Sequence, residues 1–129
     1  MANQFVVQLK NEPGAMATLA EALAARGVDL RAIGGGSMGD SGHVIMTTAD
    51  DETTKAVLDE GGYTYIEGEQ ILTEVDDRPG GMARLSRSLA DAGVNIYGHL
   101  FLGRWGDRAM FAFVVDKPEI ARPILERKG

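Results

Sequence analysis

The sequence has no cysteine. That excludes disulfides, thiolate nucleophiles and every cysteine-ligated metal site. Aromatic residues are scarce, at 6% with a single tryptophan, and a sheet that stacks RNA bases needs a row of them. Basic residues are the minority, 13 against 19 acidic, for a net charge of −6. Such a surface repels phosphate, so neither nucleic acid nor an anionic membrane is an expected partner. No run approaches the roughly 18 apolar residues of a membrane span. Met1 to Gln8 has neither the basic start nor the apolar stretch of a signal peptide, so a cytoplasmic location is expected. There are two histidines, His43 and His99, with no spacing that groups them as metal ligands. No serine stands in a G-x-S-x-G context. A catalytic centre, a metal and a cofactor are therefore not expected.

Glycine is abundant, 17 in 129 residues, and the glycines punctuate short segments. The chain also repeats itself. Shifted by 66 positions, Gln4 falls on Gln70, Pro13-Gly14 on Pro79-Gly80, and Met16-Ala17 on Met82-Ala83. Leu19 falls on Leu85, Leu23-Ala24 on Leu89-Ala90, Gly27-Val28 on Gly93-Val94, and Asp50 on Asp116. Two copies are too few for a solenoid, so the chain reads as two small domains, 1–69 and 70–129.

Each copy opens with a β-prone run, Phe5–Leu9 or Ile71–Val75. A polar loop ending in Pro-Gly leads into helical periodicity, with Met16, Leu19 and Leu23 or Met82, Leu85 and Leu89 as the buried stripe. Gly27 and Gly93 supply helix stops. Strands beginning at Leu30 and Ile96 turn within Gly36–Gly42 and Gly103–Asp107 and return as His43–Thr48 and Arg108–Val115. Second helices are expected over Glu52–Glu60 and Pro118–Arg127, and a fourth strand over Tyr63–Glu67. The fold class is α+β: two ferredoxin-like βαββαβ units in tandem, their sheets side by side, the second lacking its last strand. The open edge then calls for a cover, either a second chain or pairing with Tyr63–Glu69.

Two motifs carry a family resemblance. Asn11-Glu12-Pro13-Gly14 with Gly27-Val28-Asp29-Leu30, and Asp77-Arg78-Pro79-Gly80 with Gly93-Val94-Asn95-Ile96, resemble the ACT domain, and the two copies cover nearly the whole chain. The resemblance implies a regulatory module with no catalytic centre, one that binds an amino acid at interfaces between such domains. It also implies a homodimer.

The motif has a physical reading of its own. Proline pre-sets the first helical turn, and the following glycine lets a ligand or a backbone approach closely. Free N–H groups at the helix start attract a carboxylate. Asp77 and Asn95, or Asn11 and Asp29, offer oxygens to an ammonium group; the same residues also serve as helix caps or turn residues. The candidate site is therefore Asp77, Gly80, Gly81, Met82, Asn95 and Ile96. Its counterpart is Asn11, Gly14, Ala15, Asp29 and Leu30, ranked second because Gly80-Gly81 is the doubled glycine. Gly34 to Gly39 spells G-x-G-x-x-G, but strand-like residues follow it, so it is not a dinucleotide fingerprint. Trp105 beside Phe101 is expected at an interface, and Tyr63 and Tyr65 near the open edge are expected to serve similarly. The expected function is a stand-alone sensor or regulator that binds an amino acid. The alternative is a ligand-free subunit that modulates a separate amino-acid biosynthetic enzyme by contact, of the kind represented by the acetohydroxyacid synthase regulatory subunit.

Overall fold

The computed structural model describes residues 3–126. The chain divides into two compact units, Met1–Gly68 and Glu69–Gly129. The first has strand β1 (Asn3–Lys10), helix α1 (Ala15–Ala25), β2 (Leu30–Met38), β3 (Ser41–Thr48), α2 (Asp51–Glu60) and β4 (Tyr65–Glu69). The second has β5 (Ile71–Asp76), α3 (Gly81–Asp91), β6 (Ile96–Trp105), β7 (Arg108–Val115) and α4 (Pro118–Leu125). The strand orders are β2-β3-β1-β4 and β5-β7-β6. These are mixed α+β units of the ferredoxin-like kind, and among the described residues the second has three strands. The sequence end of α4, Arg127, lies outside the described residues.

Helix endings explain the repeated Gly-Val. Val28 N–H bonds the Leu23 carbonyl and Gly27 N–H that of Ala24, while Val94 and Gly93 do the same with Leu89 and Ala90. This is the Schellman arrangement, with its glycine left-handed at φ 74° and 75°. Val28 and Leu23 then share one core, with Phe5, Val7, Leu19, Val44, Met46 and Leu58. Val94 and Leu89 share the other, with Ile71, Phe113, Val115, Ala121 and Leu125. Buried Thr73 donates its hydroxyl to the Leu125 carbonyl, which ties α4 to β5. Asp50 caps α2, accepting from the Thr53 N–H at 3.0 Å and its hydroxyl at 2.6 Å.

Three expectations change. Both hairpins are tighter than predicted: Met38 pairs with Ser41 and Trp105 with Arg108, leaving two-residue turns, Gly39-Asp40 and Gly106-Asp107. Glycine at φ 62° and 60° in the first central position makes each a type II′ turn, the one that matches strand twist. Gly36, expected to open the first turn, therefore lies inside β2 with Gly34 and Gly35. The segment expected to cover the second unit's edge is instead β4, hydrogen-bonded to β1. Within the second sheet β5 has β7 as its neighbour. Of the six stripe residues, Leu19, Leu23 and Leu89 are fully buried and Met82 and Leu85 partly so, whereas Met16 is 37% exposed. Met16 faces the glycine strand, which offers it no side chains to pack on.

Leu89→Ala should therefore cost about 2–5 kcal/mol of unfolding free energy, the range for truncating a buried leucine. Met16→Ala should stay within about 1 kcal/mol. Denaturant melts of the two variants check the contrast.

The hydrogen bonds from Thr53 hold the Asp50 carboxyl below its ordinary value of 3.8. A depressed folded-state value means that this cap stabilises fully above 3.8 and is lost as pH falls through the lower, folded value. Asp50→Asn keeps a good capping oxygen. It should match the unmutated protein near neutral pH and lose less of its thermal midpoint on acidification below 3.8. A pH series of thermal melts measures both.

Candidate functional site

In each unit the Pro-Gly loop joins the end of a strand to a helix lying on the same sheet. Gly14 and Gly80 make the turn, left-handed at φ 88° and 92°, and neither helix has a side-chain cap. Asn11 and Asp77 are therefore not helix caps. Asn11 donates its Nδ2 to the Gly39 carbonyl at 2.9 Å, tying the loop to the β2–β3 turn. Among the described residues its Oδ1 has no partner. Asp77 accepts from Arg104 Nε at 2.7 Å, and the guanidinium of Arg104 stacks 4.7 Å from the centre of the Phe101 ring.

The two helix starts make the same backbone hydrogen bonds. Gly81 N–H donates to the Arg78 carbonyl at 3.1 Å and Arg84 N–H to that of Gly80. Gly81 is thus spent within the turn, which corrects its assignment as a free anion donor. Its missing side chain has a structural reason, since a Cβ there would collide with the Asp76 carbonyl oxygen. Among the described residues Gly80, Met82 and Ala83 keep N–H groups without a carbonyl partner. In the first unit Ala15 N–H likewise reaches Glu12 at 3.3 Å and Thr18 N–H reaches Gly14, which among the described residues leaves the N–H groups of Met16 and Ala17 unpartnered at the positive end of α1.

The second halves of both motifs lie far from these loops. Leu30 pairs with Thr48 and Met38 with Ser41, while Lys10 also pairs with Ser41. Asp29-Leu30 and the Asn11 loop are thus at opposite ends of β3, about 24 Å apart at roughly 3.4 Å per residue. Asn95-Ile96 and the Asp77 loop are separated likewise, with Ile96 beside Val115 and Asp76 beside Arg108. Asn95 and Asp29 make local bonds at those ends. Asp116 Oδ1 accepts from the Asn95 N–H at 2.9 Å, and Asp29 pairs with Arg31 at 3.2 Å. Within one unit the predicted residues therefore form two separate groups.

Three clefts adjoin the loops. One of about 330 Å³ lies at the second loop, among Asp76, Asp77, Arg78, Met82, Arg104 and Phe111. Its charges are paired with each other: Asp76 with Arg78, Arg84 and Arg108, and Asp77 with Arg104. Two lie at the first loop. The larger, about 590 Å³, runs past Lys10, Gly14, Thr18 and Tyr63. The other, about 350 Å³, holds Asn11, Ala15 and Met16 on one side and Ile33, Gly34, Gly35 and Gly36 on the other. The fit between Asn11 and the glycine strand depends on strand register, which the sequence does not show.

Exposed apolar side chains gather on β6: Tyr97 at 42%, Phe101 at 49%, Leu102 at 38% and Trp105 at 61%. Among the described residues, no three potential metal ligands converge, and no helix is long and apolar enough to cross a membrane.

Residues 4–60 match the family model of the ACT domain. No curated protein matches the chain by sequence. Solved structures resemble it over both units. A protein from Bacteroides thetaiotaomicron is 18% identical with a TM-score of 0.71, over 97% of this chain and 86% of its own. The regulatory subunit of aspartate kinase from Thermus thermophilus is 19% identical with a TM-score of 0.60, over 97% of this chain and 89% of its own. That from Thermus flavus is 16% identical with a TM-score of 0.64, over 97% and 90%. At these identities the likeness is one of fold.

The second loop yields a direct check. Gly81→Ala should destabilise by about 1–3 kcal/mol, the cost of forcing a methyl into a packed contact, despite alanine's better helix propensity. Asp77→Ala should cost less than about 1 kcal/mol, because its pair with Arg104 is largely exposed and no cap is lost. Urea melts of the two variants separate packing from charge.

Proposed function

We propose that the chain is a tandem ACT regulatory protein that binds an amino acid or a similar small zwitterion at the first Pro-Gly loop. The carrying observation is the cleft shared by Asn11, the start of α1 and the glycine strand. A carboxylate fits the unpartnered N–H groups of Met16 and Ala17, where the helix dipole favours negative charge. An ammonium fits the unpartnered Oδ1 of Asn11, held in place by its bond to Gly39. A cleft of about 350 Å³ is at the small end of ligand sites, the size for a single amino acid. The fold supports a regulatory reading, because two of the similar structures are regulatory subunits of aspartate kinase. It also supports two ACT units, since those likenesses extend over 97% of the chain. The protein acts without catalysis of its own. Asp29 and Leu30, remote from the loop within their unit, join such a site only where a second copy of the chain supplies them.

One observation favours the other reading, a ligand-free regulatory subunit that acts on an enzyme by contact. The exposed Tyr97, Phe101, Leu102 and Trp105 of β6 have the aromatic character of a protein interface. Calorimetric titration with amino acids decides between the two. Binding should be seen at millimolar concentration or below. Asn11→Ala should weaken it by about tenfold or more, the loss of a hydrogen bond to a charged group. Asp77→Ala should leave it unchanged. If no amino acid binds, the contact reading takes its place.

A further inference from the structure

The two units are built on one lattice, and that lattice shows what each has put in the same place. Gly35 pairs with Val44 on β3, and Phe101 pairs with Phe111 on β7. Two residues along, Ile33 pairs with Met46 and His99 with Phe113. The first unit thus has Ile33, Gly35, Val44 and Met46 where the second has His99, Phe101, Phe111 and Phe113. In the second unit these form a ladder of rings. Phe101 meets Phe111 edge-on at 5.5 Å, Phe111 meets Phe113 at 6.2 Å, and His99 meets Phe113 at 6.3 Å. The first unit has no ring at any of the four positions. At Gly35 it has no side chain at all, and the backbone allows none, because a Cβ there would collide with the His43 carbonyl oxygen.

The vacancy is lined to suit an apolar group. Met16 and Ile33 flank it, 37% and 49% exposed, with Leu9, Ala15 and buried Val44 completing the walls. Exposed apolar side chains around one cleft are stabilised when an apolar ligand covers them. The thioether of Met16 is suited to the edge of a ring. The strip also lies at the right distance. Gly35 is level with Val7, and Lys10 marks the loop end three residues further, about 10 Å at strand rise. Of the polar residues of the cleft, Lys10, Asn11, Glu12 and Ser37 are at that loop end, while His43 pairs with Gly36, one residue from Gly35.

We infer that the first unit selects an amino acid with a ring-sized apolar side chain, aromatic ahead of aliphatic, its ring taking the place that Phe101 occupies in the second unit. This rests on the amino-acid reading of the same cleft and narrows it to a substrate class. The test is a set of titrations of the intact chain with L-phenylalanine, L-leucine, L-serine, L-lysine and L-aspartate. Phenylalanine should bind at least about tenfold more tightly than serine, lysine or aspartate, with leucine between, as expected for an apolar pocket. Ile33→Asn alters an exposed residue and should not disturb folding. It should reduce the preference for phenylalanine over serine about fivefold or more, and Met16→Gln should act in the same direction, with unliganded melts unchanged. If serine, lysine or aspartate binds as tightly as phenylalanine, or if both variants keep the preference, the side-chain assignment is overturned while the amino-acid reading stands. If none of the five binds, the side-chain assignment falls, and titration with the remaining amino acids decides the amino-acid reading.

Discussion

Everything near the candidate site depends on one backbone constraint, the left-handed glycine that turns each strand into its helix. Gly14 and Gly80 adopt φ 88° and 92°, a region costly to any residue with a side chain. This turn lays α1 and α3 across their sheets with the first helical turn beside the strand end. Leu19, Leu23 and Leu89 are buried as a result. The same placement leaves the first N–H groups of the helix beside whatever the neighbouring strand presents. The turn thus sets the fold and the electrostatics of the loop together, and neither can be altered without the other.

Beside that shared turn the two units diverge. In the second, Asp77, Arg104 and Phe101 form a stacked, ion-paired assembly, and Asp76 gathers three arginines. The loop's charges are satisfied from within. In the first, an asparagine replaces the carboxylate, and Met38 stands where a shift of 66 places Arg104. The strand that would carry a ring carries glycines. The lattice is common and the contents differ: rings and ion pairs border the 330 Å³ cleft of the second unit, glycines the 350 Å³ cleft of the first.

Much of the fold was legible because both copies state it. The shift of 66 positions, the Pro-Gly loops and the Gly-Val helix stops are local signals, each fixed by a few neighbouring residues. The hairpins were read as longer because the glycines of β2 resemble turn residues, and only pairing with β3 shows them to be strand. The candidate site was legible in part. Asn11 and Gly14 were named correctly as loop residues, but the sequence placed Asn95 with Asp77 and Asp29 with Asn11 as if one short motif meant one place. Strand register puts them at opposite ends of the sheet. The pairing of Asp77 with Arg104 joins residues 27 apart in sequence and leaves no local trace. Met16 matched its helical stripe, yet its exposure depends on the absence of side chains across from it.

An open cleft in a folded unit has a thermodynamic consequence. The ring ladder of the second unit contributes apolar burial whether or not a ligand is present. Such pairs are worth about 0.5–1.5 kcal/mol each beyond their area. The first unit has no equivalent and leaves Met16 and Ile33 partly in water. A ligand that covers them binds the folded state alone, so its stabilisation grows with concentration, reaching about 2.7 kcal/mol at a hundred times its dissociation constant. On the proposed reading, stability in the first unit would vary with ligand concentration, while the ring ladder of the second stabilises it without one. That difference is what a sensor requires, because a conformational equilibrium is shifted only by a ligand that distinguishes its states. On the proposed reading, a fold with two like units supplies it by placing Gly35 in one unit where the other has Phe101.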